Sequence, residues 1–312
     1  MNDLAKRLIV VSPHGFCSGV ARAVATAEAV LEAARGEPVY CLNEIVHNKQ
    51  VVARLTGLGM AFVGSVEAVP EGARLLFSAH GVAPNVMRRA AARRLRVIDA
   101  TCPFVMKVHA EVRRFAAEGA CVVCVGHRRH EEVIGVAGEA PGQVWIVENA
   151  EEAEALEIRA DARVAVVTQT TLGEAQVEPV MAVLRRRFPG MRLPSATDVC
   201  YATRNRQQAV RVLAGVCARV LVLGSANSSN SQRLVETARA AGAEADLVSE
   251  LEQIDGLALA DVPSVGLTSG ASTPESFLDA VIGVLRERYG FPAPEPLEAV
   301  AEDSPVFRLP GF

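Results

Sequence analysis

Short aliphatic runs alternate with longer amphipathic stretches along most of the chain. The short runs are rich in Val, Leu and Ile, which is typical of buried strands, whereas the longer stretches repeat apolar residues at helical spacing. Glycine follows two of these stretches, at Gly36 and Gly119, where a helix commonly ends. This alternation predicts an α/β fold with mostly parallel sheets. Strands are predicted at 8–11, 39–42, 75–77, 96–98, 121–125, 145–147, 164–167, 220–223 and 264–267, and helices at 20–34, 88–95, 105–117, 177–188, 205–218, 232–241 and 274–288.

Three cysteines suggest how the chain is organised. Cys17, Cys102 and Cys200 each come just after an apolar run and just before a predicted helix. Each interval between them is long enough for a small βαβ unit, so three such lobes would each deliver one thiol to a common centre. The predicted lobes are 1–102, 103–199 and 200–288, followed by a Pro-rich, acidic tail at 289–312 that is expected to dock through Val306, Phe307 and Leu309.

The composition indicates a globular protein that binds neither nucleic acid nor membranes. Of the 312 residues, 50% are hydrophobic, which is enough for a full core. The formal net charge of −4 and the pI near 5.9 argue against a nucleic-acid-binding surface. No apolar run reaches the ~18 residues of a membrane span, and the first apolar run is too short for a signal peptide. We therefore expect a cytoplasmic protein.

The positions of Cys17, Cys102 and Cys200 suit ligation of a metal centre. The thiolate is the form that binds metal, and the start of a helix stabilises it through a partial positive charge. Three ligands are one fewer than a closed structural site uses, so a catalytic zinc or an iron–sulfur cluster with one open iron would fit. Cys121 and Cys124 form a C-x-x-C pair, but residues three apart in a strand face opposite sides, so we expect both to pack in the core.

Polar side chains follow several predicted strands, at the ends where parallel sheets bind ligands. The richest turn is 224–231, GSANSSNS, whose hydroxyl and amide groups precede a helix and suit a phosphate or diphosphate. Helix capping is the alternative, although one serine would suffice for it. His47, His80 and His130 lie in similar turns, where histidine serves proton transfer or phosphate binding, and Glu132 is a candidate acid.

A series of motifs, in order across residues 12–275, resembles the 4-hydroxy-3-methylbut-2-enyl diphosphate reductase (LytB/IspH) family. The resemblance covers nearly the whole chain and is specific, because many independent blocks keep their order. The motifs are GFCSGVARA, EIVHN, SAHGV, DATCP, the H-x-E at 130–132, TQTT, CYATRNRQ, NSSNS and SGAST.

The resemblance implies an enzyme that converts (E)-4-hydroxy-3-methylbut-2-enyl diphosphate to isopentenyl and dimethylallyl diphosphate by reductive dehydroxylation. This is the last step of the methylerythritol phosphate route to isoprenoids. The implied cofactor is one 4Fe–4S cluster per chain, held by Cys17, Cys102 and Cys200 with one iron open. The implied fold is three small α/β lobes in a pseudo-threefold cloverleaf around the cluster. An external ferredoxin or flavodoxin would supply electrons to a monomer or homodimer.

The resemblance also assigns roles to side chains. Glu132 would donate a proton, His130 would contact the substrate and relay protons, and Thr170 would hydrogen-bond near the substrate hydroxyl. Gln169 and Thr171 would support these residues. The diphosphate would be held by His47, His80, Ser228, Ser229, Asn230 and Ser272.

The chain departs from the family pattern at three positions. Ser18 stands where alanine is common, Glu131 stands where many members have proline, and Ala226 stands where a lysine is often found. The residues alone leave two alternatives. One is a zinc hydrolase with three cysteine ligands, and the other is a non-catalytic iron–sulfur sensor or phosphate-binding module.

Overall fold

The structure, a computed structural model, describes residues 6–159 and 161–311. The first five residues, where the first predicted lobe begins, and Phe312, where the predicted tail ends, lie outside the described residues, as does Ala160. The strands are β1 (Arg7–Ser12), β2 (Val39–Leu42), β3 (Met60–Val63), β4 (Arg74–Phe77), β5 (Arg96–Asp99), β6 (Cys121–Val125), β7 (Val144–Val147), β8 (Val164–Thr168), β9 (Arg219–Leu223), β10 (Glu244–Val248), β11 (Ser264–Ser269) and β12 (Glu295–Glu298). The α-helices are α1 (Ser18–Ala34), α2 (Lys49–Gly57), α3 (Pro84–Ala92), α4 (Pro103–Ala117), α5 (Glu131–Ala137), α6 (Ala150–Glu154), α7 (Glu174–Arg187), α8 (Tyr201–Ala214), α9 (Ser229–Ala240) and α10 (Glu275–Tyr289).

These strands form three small sheets in which every strand pair is parallel. The strand orders are β10-β9-β11-β1-β12, β3-β2-β4-β5 and β7-β6-β8. Parallel strands need crossover connections, usually helices, and their faces are covered, which explains their nearly continuous apolar sequences. The predicted α/β class with several small parallel sheets is therefore confirmed.

The N-terminal strand belongs to the same sheet as the C-terminal third of the chain. Strand β1 pairs with β11 on one side and with β12 on the other. Chain order alone does not predict this pairing, and the lobe boundaries drawn at the cysteines stay a prediction. The tail contributes β12 and also places Phe307 edge-to-face against Phe104, with ring centroids 5.9 Å apart. The expectation of docking was wrong for Val306, which is 96% exposed, whereas Leu309 is 46% exposed.

By its contacts the chain divides into two compact units. The first unit comprises Met1–Val20, His47–Arg54 and Tyr201–Val306, and it contains the five-stranded sheet. Alternate residues of each strand point to opposite faces of this sheet and contribute to the hydrophobic core on each face. Val222 packs with Leu213 and Leu234 on one face of the sheet, whereas the adjacent Leu221 packs with Val281 on the other.

The second unit comprises Ala21–Val46, Leu55–Cys200 and Phe307–Phe312, and it contains the other two sheets. In the three-stranded sheet, Val123 packs with Leu184 on one face and Val122 packs with Phe115 on the other. Leu75 and Phe77 of β4 pack with Ala90 of α3. Both units thus direct the carboxyl ends of their strands into polar loops that precede helices.

Candidate functional site

Each of the three predicted ligand cysteines directly precedes a helix. Cys17 comes before α1, Cys102 is the N-cap residue of α4, and Cys200 comes before α8. All three are half-buried, and none of the seven cysteines, all of which are described, forms a disulfide. The backbone N–H of Cys17 donates to the Ala271 carbonyl at 3.2 Å, so its loop is anchored to the turn after β11. The local setting predicted for these thiols is therefore present.

The other cysteines are poorly suited to bind metal. Cys41, Cys124 and Cys217 are buried, and burial raises the pKa of each thiol, to about 11 for Cys217. A raised pKa disfavours the thiolate that a metal requires. Cys121 and Cys124 pack into cores on opposite faces of the three-stranded sheet. The two thiols of the C-x-x-C pair therefore face away from each other, as expected.

In the first unit, the loop before α9 combines hydroxyl groups with a helix start. Ser228 is the N-cap residue, and its Oγ accepts hydrogen bonds from the Ser231 N–H at 3.3 Å and the Ser231 hydroxyl at 3.1 Å. A Cβ at Gly224 or Gly270 would overlap the Ser231 hydroxyl, so glycine lets these two loops approach it closely. The result is a tightly packed cluster of polar loops at the carboxyl ends of β9 and β11.

Asn230 is the most informative residue of this loop. It is 6% exposed, and neither its side-chain oxygen nor its side-chain nitrogen has a hydrogen-bond partner among the described residues. A buried amide that lacks partners costs about 1–3 kcal/mol. Such a cost is readily explained when a ligand supplies the missing hydrogen bonds.

His47 and Ser272 join the same loop cluster. The Ser272 hydroxyl donates to the His47 carbonyl oxygen at 3.0 Å, and His47 Nδ1 lies 3.4 Å from the Asn227 side-chain amide. The structure thus brings together, within the first unit, five of the six residues predicted to hold a diphosphate. Those five are His47, Ser228, Ser229, Asn230 and Ser272.

In the second unit, Glu132 is held by both polar groups of Thr170. The Thr170 N–H donates to Oε1 of Glu132 at 2.7 Å, and the Thr170 hydroxyl donates to Oε2 at 2.9 Å. Glu132 is 1% exposed. Burial raises the pKa of its carboxyl, whereas the Thr170 hydrogen bonds and nearby His80 oppose that rise. A buried carboxyl with a raised pKa is suited to donate a proton near neutral pH.

His130 and His80 lie beside this pair. His130 caps α5, and its Nδ1 accepts a hydrogen bond from the Glu132 N–H at 3.2 Å. The rings of His80 and His130 meet edge-to-face with centroids 5.7 Å apart. The backbone N–H of Cys102 donates to the Ala79 carbonyl, and that of Cys200 donates to the Thr170 carbonyl.

Two of the predicted ligand cysteines and the predicted proton-transfer residues therefore belong to one set of hydrogen-bonded loops in the second unit. Gln169 and Thr171 take part, because the Gln169 amide donates to the Thr171 hydroxyl at 2.8 Å and accepts from the His127 N–H at 3.0 Å. His80, the sixth residue predicted to hold the diphosphate, lies in this unit.

The sequence does not predict the contact of Glu131 with His80, although Glu131 stands out as a departure from the family pattern. Its carboxylate oxygen lies 3.1 Å from His80 Nδ1. The Ser78 hydroxyl lies 3.3 Å from the same nitrogen. The available signal was an acidic residue in the first turn of a helix that follows a strand-end loop.

Comparison with known proteins shows which family the chain resembles. The model of a family described as LytB protein matches residues 8–286. A 4-hydroxy-3-methylbut-2-enyl diphosphate reductase of Acidothermus cellulolyticus is 49% identical over 306 residues, which cover 98% of this chain and 89% of that protein. One of Rhodococcus jostii is 48% identical over 309 residues, which cover 99% of this chain and 91% of that protein.

Solved structures agree as well. The E-1-hydroxy-2-methyl-but-2-enyl-4-diphosphate reductase of Plasmodium falciparum superposes with a TM-score of 0.94 at 34% identity, covering 98% of this chain and 96% of the other. A second structure, of (E)-4-hydroxy-3-methyl-but-2-enyl diphosphate reductase, the terminal enzyme of the non-mevalonate pathway, gives a TM-score of 0.63 at 33% identity, covering 90% and 99%. Among the described residues, no helix combines the length and the apolar character needed to cross a membrane. The motifs, the loop geometry and these similarities confirm the resemblance, and the chain belongs to the LytB protein family.

Proposed function

We propose that this chain reduces (E)-4-hydroxy-3-methylbut-2-enyl diphosphate to isopentenyl and dimethylallyl diphosphate. Two electrons and two protons enter, the allylic C–O bond breaks, and the hydroxyl leaves as water. The observation that carries the proposal is the buried Glu132–Thr170 pair, beside His130 and within the loops of two ligand cysteines, in a chain of this family.

Cys17, Cys102 and Cys200 are the proposed ligands of one 4Fe–4S cluster, with the fourth iron open. Their chemistry fits, because they are half-buried at helix starts, whereas Cys41, Cys124 and Cys217 are buried with raised thiol pKa values. When bound, such a cluster supplies single electrons and a Lewis-acidic iron.

The proposed diphosphate contacts are His47, His80, Ser228, Ser229, Asn230 and Ser272. The side-chain amide of Asn230, which has no partner among the described residues, supplies a donor to anionic oxygens, as do the serine hydroxyls and the start of α9. The diphosphate is remote from the carbon that reacts. Its binding therefore serves to position the allylic hydroxyl rather than to take part in bond cleavage.

Glu132 is the proposed proton donor. Hydroxide is a poor leaving group, so C–O cleavage requires an acid within hydrogen-bond reach. Thr170 fixes the carboxyl by two hydrogen bonds and also contacts the substrate near its hydroxyl in this proposal. His130, whose Nδ1 is held by the Glu132 N–H, contacts the substrate and relays protons.

We further propose that electrons come from an external ferredoxin or flavodoxin and that the enzyme acts in the cytoplasm as a monomer or homodimer. Anaerobic purification, iron counting and an assay with reduced methyl viologen and the diphosphate substrate test the central proposal. A brown, iron-containing protein that turns over this substrate is the expected result. A colourless, redox-silent protein would favour the zinc hydrolase, and an iron-containing protein without turnover would favour a sensor.

A further inference from the structure

Each helix that follows a ligand cysteine carries a cationic side chain about one and a half turns from its start. Arg22, Lys107 and Arg206 lie five, five and six residues after Cys17, Cys102 and Cys200 respectively. None of them belongs to the substrate or proton-transfer set described above. Each donates hydrogen bonds to backbone carbonyl oxygens of a distant loop, and in each case that loop leads into a different ligand cysteine.

Arg22, on the helix after Cys17, holds the loop that leads to Cys102. Its guanidinium donates to the Thr101 carbonyl at 3.0 Å, and Thr101 is the residue directly before Cys102. A second hydrogen bond, at 2.8 Å, goes to the Arg308 carbonyl of the C-terminal tail. Both contacts lie within the second unit.

Lys107, on the helix after Cys102, holds the loop that leads to Cys200. Its ammonium donates to the carbonyls of Ala196 at 2.7 Å and Thr197 at 3.1 Å. It also pairs with the Asp198 carboxylate at 3.0 Å, and that side chain is 2% exposed. These contacts also lie within the second unit.

Arg206, on the helix after Cys200, holds the loop that leads to Cys17. It is 1% exposed, and its guanidinium donates to the Gly15 carbonyl at 2.9 Å and the His14 carbonyl at 3.4 Å. The Glu302 carboxylate of the tail forms an ion pair with the Arg206 guanidinium at 3.1 Å. A buried guanidinium is costly unless paired and hydrogen-bonded, so this arrangement strongly restrains the loop. All of these residues lie in the first unit.

The three contacts form a closed cycle. The helix after Cys17 holds the loop before Cys102, and the helix after Cys102 holds the loop before Cys200. The helix after Cys200 holds the loop before Cys17. Carbonyl oxygens near a thiolate repel it, and a cation bound to those oxygens relieves the repulsion and fixes the loop. We propose that Arg22, Lys107 and Arg206 are positioning residues for Cys102, Cys200 and Cys17, each preparing the next thiol for the cluster. This inference rests on the cluster of the proposed function.

The test uses the full-length chain in four variants: Arg22→Met, Lys107→Met, Arg206→Lys and the control Arg204→Met. Arg206 is replaced by lysine because it is buried, and lysine keeps the charge while losing the planar fork that reaches several acceptors. Lys107 has a side chain 29% exposed, so its replacement leaves the apolar core intact. Arg204 is exposed on the same helix as Arg206 and controls for loss of a helix cation.

Two quantities are measured. After iron removal with a chelator, alkylation of each cysteine by iodoacetamide is followed by peptide mass spectrometry. Arg22→Met should speed alkylation of Cys102, Lys107→Met that of Cys200, and Arg206→Lys that of Cys17, with the other two ligand cysteines unchanged. In the iron-loaded protein, each variant should bind iron about tenfold more weakly or worse, the order typical when a partner orienting a metal ligand is lost. Arg204→Met should match the unmodified chain in both.

The proposal is overturned when a substitution speeds alkylation of all three cysteines equally, or speeds alkylation of the cysteine before its own helix. It is also overturned when the variants match the control in both alkylation rate and iron binding. Failure of the unmodified chain to bind iron or to turn over substrate would contradict the proposed function instead. The alkylation pattern in iron-free protein would still decide whether the three cations restrain the loops.

Discussion

At the scale of single residues, the environment of Glu132 determines which reaction step it can serve. Its carboxyl is buried, and burial raises its pKa against the opposing hydrogen bonds of Thr170. A group of this kind retains its proton to higher pH than an exposed carboxyl. Since the protonated form is the donor, turnover should fall as pH rises through that pKa.

Replacement of Glu132 by glutamine tests this role. The amide keeps the shape of the side chain but has no acidic proton, so Glu132→Gln should lower kcat about 10²-fold or more, the usual contribution of a general acid. Iron content and substrate binding should be retained. The exposed Glu151→Gln serves as the control. Near-normal turnover in Glu132→Gln, or an unchanged high-pH limb of the kcat profile, would contradict the assignment.

Serine substitutions distinguish the three cysteines proposed as ligands from the cysteines packed in the cores. Cys17→Ser, Cys102→Ser and Cys200→Ser should each strip iron from the anaerobically purified protein, because a serine hydroxyl is a poor substitute for a thiolate. Cys124→Ser should leave the iron in place, since that thiol is buried with a raised pKa. Iron content per chain is the measurement. Equal loss from Cys124→Ser would revive the C-x-x-C pair as a metal site.

Asn230 should show an unusual separation between binding and stability. Because its buried amide lacks partners among the described residues, Asn230→Ala removes no hydrogen bond from the ligand-free protein. The melting temperature of the Asn230→Ala variant should therefore not fall. Its KM for the diphosphate substrate should rise about tenfold, as expected for the loss of one hydrogen bond to a charged group. A lower melting temperature with unchanged KM would instead indicate a structural role.

At the scale of elements, the N-cap residue of α9 stabilises the helix and is also one of the proposed diphosphate contacts. Ser228 accepts two hydrogen bonds from Ser231, and one of them satisfies an N–H in the first turn. Ser228→Ala should therefore lower the free energy of unfolding by about 1 kcal/mol and also raise KM, whereas Asn230→Ala should raise KM alone. Urea unfolding and steady-state kinetics on the two variants give the comparison. Unchanged stability in Ser228→Ala would show that the cap contributes nothing to this helix.

Hydrophobic patterning predicted the central strands closely and placed the long helices with errors of up to four residues at their ends. Residues 39–42 and 121–125 were predicted as strands with the bounds that β2 and β6 have. The elements it missed are short or compositionally ambiguous. Helix α5 begins with two glutamates, and β12 has the sequence EPLE. Such segments form a helix or strand where the fold provides a packing partner, and the local sequence does not show where that is. Strand β12 tolerates proline because the outer side of an edge strand has no neighbour that requires an N–H donor.

At the scale of the whole molecule, the proposed roles of the site residues come from the resemblance of the motifs to a known family. Their contacts were less predictable. The pairing of Glu131 with His80 joins residues 51 positions apart, and Arg206 reaches Gly15 across 191 positions. Such contacts depend on which loops the sheet topology brings together, and topology is not encoded in local periodicity. The regular placement of a cation after each ligand cysteine was visible in the sequence, but its meaning required the contacts.

The tail offers a test at this scale. Removal of residues 291–312 would delete β12 and expose the edge of β1, and it would delete Glu302, the partner of Arg206. An exposed strand edge promotes association, so the truncated chain should aggregate at concentrations where the full chain does not. Light scattering measures this outcome. A truncated chain as soluble as the full one would show that another segment covers the edge.

The position of β1 between β11 and β12 also has a consequence for synthesis on the ribosome. Strand β1 has both of its sheet neighbours among residues 264–298, so it cannot pair with both of them until residue 298 has left the ribosome. Residues 21–200 supply most of the second unit and are exposed long before that. Because domains generally fold as they leave the exit tunnel, a nascent chain arrested near residue 250 should contain a protease-resistant middle and an N-terminus that is still cleaved.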